Sequence, residues 1–239
     1  MLWLHGGGFF RGSPRQPEAH AVAQALARQG VQVATVGYRL APFPCFARRH
    51  SRVPRGRGRY PLALVDVLDA FARVEESSRG GVILGGASAG ACLAAAATLA
   101  LIAGGSQPVG SVFAYGFFHG RHPAVRDRRQ RSRGHRRFTH ATWALNAANR
   151  NYVESPRELS DRFAFAGGHD VAEFPRTLMV NAERDNMRAS GDAFAGELTA
   201  SGVEVEHHVL PGSSHAFLNR PRQPDFETAT ALMARWACA

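Results

Sequence analysis

"VILGGASAGACLAAA", residues 82–96, sets a short apolar run against a block of small residues, with Ser88 at the boundary. The first residues, 82–85, have the length and composition of a buried strand, and the alanine-rich run 89–103 that of a helix whose small faces let it lie close on a sheet. Between them Gly86, Ala87, Ser88, Ala89 and Gly90 spell G-x-S-x-G directly after a strand and directly before a helix. That is the context a sharp strand-to-helix turn carrying an outward serine requires. The apex of such a turn has strained backbone angles, so its neighbours must be small, and Ala87, Ala89, Gly90 and Ala91 all are. The helix start behind Ser88 also offers free N–H groups to an anion. Glycine and alanine are common in this chain, so the pentapeptide needs support from elsewhere.

Outward from this turn, apolar β-rich runs alternate with helical patterns. Residues 2–4, 31–37, 111–116, 177–182 and 203–210 read as strands, and 18–28 and 62–71 as helices. A helix between the last two strands buries Met187, Phe194 and Leu198, and a C-terminal one presents Phe226, Met233 and Trp236 at helical spacing. The alternation predicts an α/β fold, a mostly parallel sheet flanked by helices, in one domain over 1–239. Two stretches break it. Residues 43–59 are Pro/Arg-rich without apolar period, and 120–139 are similar, followed by a helical piece at 141–152. The segment 117–160 therefore reads as an insert or lid over the C-terminal ends of the strands.

A serine hydroxyl becomes a useful nucleophile only when a base takes its proton, and that base needs an orienting acid. Asp185 falls just beyond the strand 177–182, and His215 in the turn beyond the next strand. Taken singly, Asp185 could be a helix cap and His215 one of eleven histidines. Together with Ser88 they share one rim of the sheet, in the chain order Ser, Asp, His. The stretch "LWLHGGGFFRGS", 2–13, supplies what the chemistry still lacks. Attack on an ester carbonyl creates an oxyanion, and glycine lets backbone N–H groups approach it closely. Gly7, Gly8 and Ala89 are the candidate donors.

The formal charge of +10 invites a nucleic-acid reading, but its distribution argues against one. All 29 basic residues are arginine, and fourteen of them lie within 48–59 and 121–137. Elsewhere fifteen arginines face eighteen acids, and the arginine runs carry few aromatics and no helix-turn-helix or zinc spacing. The three cysteines, Cys45, Cys92 and Cys238, have neither metal nor redox spacing. No apolar run reaches the length of a membrane span and no secretory leader is visible, which predicts a soluble, cytoplasmic protein.

With these residues in place the chain resembles the hormone-sensitive-lipase-like branch, bacterial family IV, of the α/β-hydrolase esterases. "HGGGFFRGS", "YRLAP" (38–42), "GASAGACLAAA", "AERDNMR" and "PGSSHAF" stand in that family's order over nearly the whole chain. The resemblance implies hydrolysis of short- to medium-acyl esters through an acyl-enzyme, without metal or cofactor. It makes Ser88 the nucleophile, His215 the base, Asp185 its orienter, Gly7, Gly8 and Ala89 the oxyanion donors, and His5 a structural member of the oxyanion loop. The expected partner is a small-molecule ester, with no nucleic acid, and a homo-oligomer is left open.

The departures are specific. Ala87 stands where the family commonly has Asp, Ala91 where it has Gly, and Phe43 with an Arg/Pro tract follows "YRLAP". Family members carry further strands and cap helices ahead of the HGGG strand. The expectation here is thus a sheet lacking its first strands and N-terminal cap helices, with the "YRLAP" strand as a bare edge. Two alternatives follow: an impaired or ligand-binding relative, and an amidase or peptidase on the same triad.

Overall fold

The computed structural model describes residues 1–43, 56–125 and 127–239. Six parallel strands form one sheet: β1 (Leu2–Leu4), β2 (Ala34–Val36), β3 (Ile83–Ala87), β4 (Gly110–Ala114), β5 (Thr177–Arg184) and β6 (Val205–Ser214), in the spatial order β2-β1-β3-β4-β5-β6. The chain runs from β1 outward to β2, then returns to the other side of β1 with β3 and continues to β6. Strand order therefore reverses between β1 and β3, whose Leu4 and Gly86 are in register. Ligands of open parallel sheets bind outside the carboxyl ends of strands at such a reversal. The glycine loop leaves β1 there, and Ser88 follows β3 directly.

Alternation along the strands builds two cores. Leu2, Leu4, Phe113 and Met179 face α2 (Leu62–Ser77), α3 (Ala89–Ala103) and α6 (Arg188–Ala200). Trp3, Val112, Leu178 and Val180 face α1 (Pro17–Ala27) and α7 (Pro224–Cys238), whose Phe226, Met233 and Trp236 are buried as their spacing predicted. The run 89–103 forms the expected helix to the residue, buried from Ala89 through Leu99.

Between β4 and β5 the chain makes two further helices, α4 (Arg136–Thr139) and α5 (Thr142–Tyr152). Residues 120–139 are mostly irregular, as expected, but they close into the short helix α4 at their end. Tyr152 of α5 stacks on Phe9 of the glycine loop at 3.9 Å between ring centroids, which ties the inserted segment to the sheet. Among the described residues no helix is long and apolar enough to cross a membrane.

Two expectations need correction. The strand drawn over 31–37 is confined to Ala34–Val36, and "YRLAP" is not a strand at all: Leu40 makes one isolated bridge, to Arg57. The Arg39 amide is taken instead by Asp66 of α2 at 2.7 Å, and the Ala41 amide by the Phe9 carbonyl at 2.8 Å. These bonds hold the segment off the ladder, so β2 is the edge. Conversely, β5 and β6 run beyond their expected ends, with a register shift between Ala182 and Arg184. Of the irregular stretch 43–59, residues 44–55, Cys45 included, lie outside the described residues.

Candidate active site

Ser88 has φ 54° and ψ −119°, a left-handed backbone rare for a residue with a side chain. Such a conformation persists only where the surroundings over-determine it. The Ser88 amide donates to the Ala114 carbonyl at 2.9 Å, while its own carbonyl starts α3 by accepting from Ala91 and Cys92. Gly90 is required by close approach: a Cβ there would lie 2.4 Å from the His5 carbonyl oxygen and 2.5 Å from that of Leu4. The second glycine of the pentapeptide thus lets α3 start against the end of β1.

Ser88 Oγ lies 3.0 Å from His215 Nε2, and His215 Nδ1 lies 2.5 Å from Asp185 Oδ2. With Nδ1 donating to the carboxylate, Nε2 is left as acceptor for the serine hydroxyl. Each residue stands where a strand ends: Ser88 after β3, Asp185 after β5, His215 after β6. All three are buried. Burial by itself pushes the Asp185 carboxyl up. The His215 ring beside it, with its hydrogen bond, and the Met187 amide donating to Oδ1 at 3.0 Å outweigh that and hold it below the usual carboxylate range. Asp185 is therefore ionised and fixed on both oxygens.

The glycine loop doubles back with positive φ at Gly7 (123°), Gly8 (62°) and Phe9 (69°). A Cβ on Gly7 would sit 2.0 Å from the Arg11 carbonyl oxygen, so the turn demands glycine there. Among the described residues the amides of Gly7, Gly8 and Ala89 donate to no protein acceptor. Gly7, Gly8, Ser88 and His215 border a common cleft of about 770 Å³. His5 points away from it. Its ring stacks on Tyr38 at 4.4 Å, its Nδ1 donates to the Gly6 carbonyl at 2.8 Å, and its own carbonyl accepts from the Tyr38 hydroxyl at 2.7 Å.

Glu18 is a component that sequence reasoning missed, having placed it only at the start of a helix. It is 3% exposed, and its carboxylate accepts from the Gly6 amide at 2.9 Å, from the Tyr115 hydroxyl at 2.8 Å and from Gln16. Burial pushes this carboxyl up, against those donors. Tyr115 in turn packs edge-on against the His215 ring at 4.9 Å. One carboxyl thereby links the root of the glycine loop to the histidine. An acid in the first turn of a helix is a common sign of dipole compensation, and nothing in the sequence distinguishes the buried case.

The inserted segment adds residues that no motif announced. The His140 ring lies 4.8 Å from that of His215, and burial with His215 and Arg136 nearby lowers its pKa to about 3. His122, also on the cleft, is buried with no hydrogen-bond partner for either ring nitrogen among the described residues, and burial lowers its pKa to about 4. Both rings are neutral at ordinary pH. Met187 places its sulfur 4.0 Å from Ser88 Oγ.

A family model described as an alpha/beta hydrolase fold matches residues 1–219. The chain is 30% identical over 230 residues to an ethyl acetate hydrolase of Pseudomonas putida, an alignment covering 91% of this chain and 65% of that protein. It spans just under two thirds of that relative's length. A shorter match, 33% identical over 72 residues, covers 30% of this chain and 24% of an arylesterase of Saccharolobus solfataricus. Among solved structures, an esterase of Pyrobaculum calidifontis superposes with a TM-score of 0.82 at 26% identity, covering 98% of this chain and 74% of that one. A hormone-sensitive lipase from a metagenome library superposes with a TM-score of 0.81 at 22% identity, over 99% of this chain and 76% of that one, a likeness of fold.

Proposed function

The chain belongs to the alpha/beta hydrolase fold family, and from that premise we propose that it is a serine carboxylic-ester hydrolase acting on short- to medium-acyl esters through an acyl-enzyme. The observation that carries this reading is the continuous hydrogen-bonded line from Ser88 Oγ through His215 to Asp185, at 3.0 Å and 2.5 Å, beside three amides that have no acceptor among the described residues.

In the proposed reaction Ser88 Oγ attacks the acyl carbonyl as its proton passes to His215 Nε2. The imidazolium so formed is stabilised by the ionised Asp185. The carbonyl oxygen becomes an oxyanion, taken by the amides of Gly7, Gly8 and Ala89; each such donor is worth on the order of 10²–10³ in rate. Collapse breaks the bond to the alcohol oxygen, which leaves with the proton from His215. Water then attacks the acyl-serine with His215 again as base, releasing the acid and restoring Ser88. Glu18 holds the glycine loop at Gly6 and acts by positioning.

The esterase names of the relatives support the reading, as does the match of the family model to both the HGGG loop and the serine turn. The test is turnover of 4-nitrophenyl butyrate by the parent and by Ser88→Ala. Hydrolysis by the parent and its loss in the variant uphold the proposal, whereas equal rates remove Ser88 from the mechanism.

A further inference from the structure

The cleft is bordered by two guanidinium groups, Arg11 and Arg136, that have no carboxylate within ion-pairing distance among the described residues. Arg136, from α4, is half-buried and borders the cleft beside Arg11 and the neutral His140 ring. Its guanidinium donates to Ser214 Oγ at 3.2 Å, and among the described residues no carboxylate lies within ion-pairing distance of it. Arg220 donates to the same Ser214 Oγ at 3.3 Å, so two guanidinium groups converge on one neutral hydroxyl. Arg220 has Asp225 at 3.9 Å and a more exposed side chain. Arg136 has neither relief, and burial together with the Arg220 charge works against its protonated form. Glu18, the one acidic residue bordering the cleft among the described residues, is already occupied by Gly6, Tyr115 and Gln16.

A half-buried guanidinium with no carboxylate beside it lacks the partner its charge favours, and its planar fork fits a carboxylate. Its place in the cleft indicates which end of a substrate would meet it. Ser214 immediately precedes His215, and the His140 ring lies against that of His215. On the ester-hydrolase reading, on which this inference rests, His215 protonates the departing alcohol oxygen, so Arg136, bonded to Ser214, flanks the alcohol portion.

The geometry points to a carboxylate-binding subsite centred on Arg136, which selects esters whose alcohol portion carries a carboxylate, that is, acyl esters of small hydroxy acids. Arg11 borders the same cleft and adds positive potential without direct contact being required. Hydrolysis there releases a carboxylic acid and a hydroxy acid.

The test compares 3-acetoxypropanoate with its neutral isostere 3-acetoxypropanamide, by kcat/KM in the parent, Arg136→Gln and Arg136→Lys. The parent is expected to prefer the carboxylate by at least about tenfold at low salt, with the preference eroding at about 0.5 M salt. The ratio should fall toward one in Arg136→Gln and recover in part in Arg136→Lys. A parent ratio at or below one, or a ratio unchanged in a folded Arg136→Gln that still turns over the amide ester, overturns the subsite. If Arg136→Gln does not fold, a parent preference insensitive to salt overturns it equally. Calorimetric titration of both esters into Ser88→Ala separates this inference from the hydrolase reading. Tighter binding of the carboxylate ester upholds the subsite even where the parent shows no turnover, and equal binding rejects it.

Discussion

Glu18 Oε1 accepts the Gly6 amide at 2.9 Å, from a side chain that also receives the Tyr115 hydroxyl. The carboxyl is thus the fixed point from which the glycine loop turns toward Ser88. Glu18→Ala leaves an amide and a phenol buried without partners, at about 1–3 kcal/mol each. It also frees the loop that carries the proposed oxyanion donors. We expect kcat to fall on the order of tenfold to a hundredfold with KM little changed, because the loop's donors matter most once charge develops on the carbonyl oxygen. Glu18→Gln keeps an acceptor for Gly6 and should recover most of the loss. A variant that alters only KM would place Glu18 outside this role, and steady-state kinetics on a chromogenic ester decides it.

Asp185 is held ionised below the usual carboxylate range, so on the acid side its protonation adds no second step to the loss of activity. A plot of log kcat/KM against pH should therefore rise from acid with a slope of one and level off. A slope of two would mean that Asp185 titrates in the same range. Asp185→Asn keeps the shape but not the charge, and should lower kcat on the order of 10⁴.

Gly90→Ala would drive a methyl group to 2.4 Å from the His5 carbonyl oxygen, against backbone that cannot give way without moving β1 away from α3. Urea unfolding should show a loss of about 2–3 kcal/mol. A change of a few tenths would mean that the serine turn is looser than its contacts indicate.

His122 is neutral in the folded protein down to about pH 4, against 6.5 for an unperturbed imidazole. Between those values the unfolded chain binds a proton that the folded one refuses, so stability is complete above about pH 6.5 and drains away as pH falls toward about 4. The full effect is about 3 kcal/mol. His122→Phe removes both unpaired nitrogens at similar volume. Its unfolding free energy should equal or exceed the parent's at neutral pH and should fall less on acidification. Parallel pH profiles for parent and variant would refute this.

What the sequence disclosed was whatever depends on local steric rules. The serine turn shows itself because only small residues tolerate the positive φ of Ser88 and the approach of Gly90 to β1. The span of α3 was legible because alanine both favours a helix and allows it to pack closely on the sheet. Asp185 and His215 were legible through their position after strands. Glu18, His122, Arg136 and His140 were not, because their roles come from tertiary contacts: Glu18 sits in a helix whose pattern does not tell what its carboxyl meets, and the other three lie in stretches without periodicity. "YRLAP" looked like a strand because its composition suits one, but Asp66, from another element, takes the Arg39 amide a strand would need. Contacts of that range leave no local pattern.

The most direct measurement is labelling of the folded protein with a fluorophosphonate, followed by peptide mapping of the adduct. Only a serine hydroxyl relieved of its proton by a neighbouring base reacts readily with such a reagent. One adduct, on Ser88, lost when His215 is replaced by Ala, is the predicted result. An unlabelled Ser88 in folded protein, or an adduct on another residue, would contradict the account.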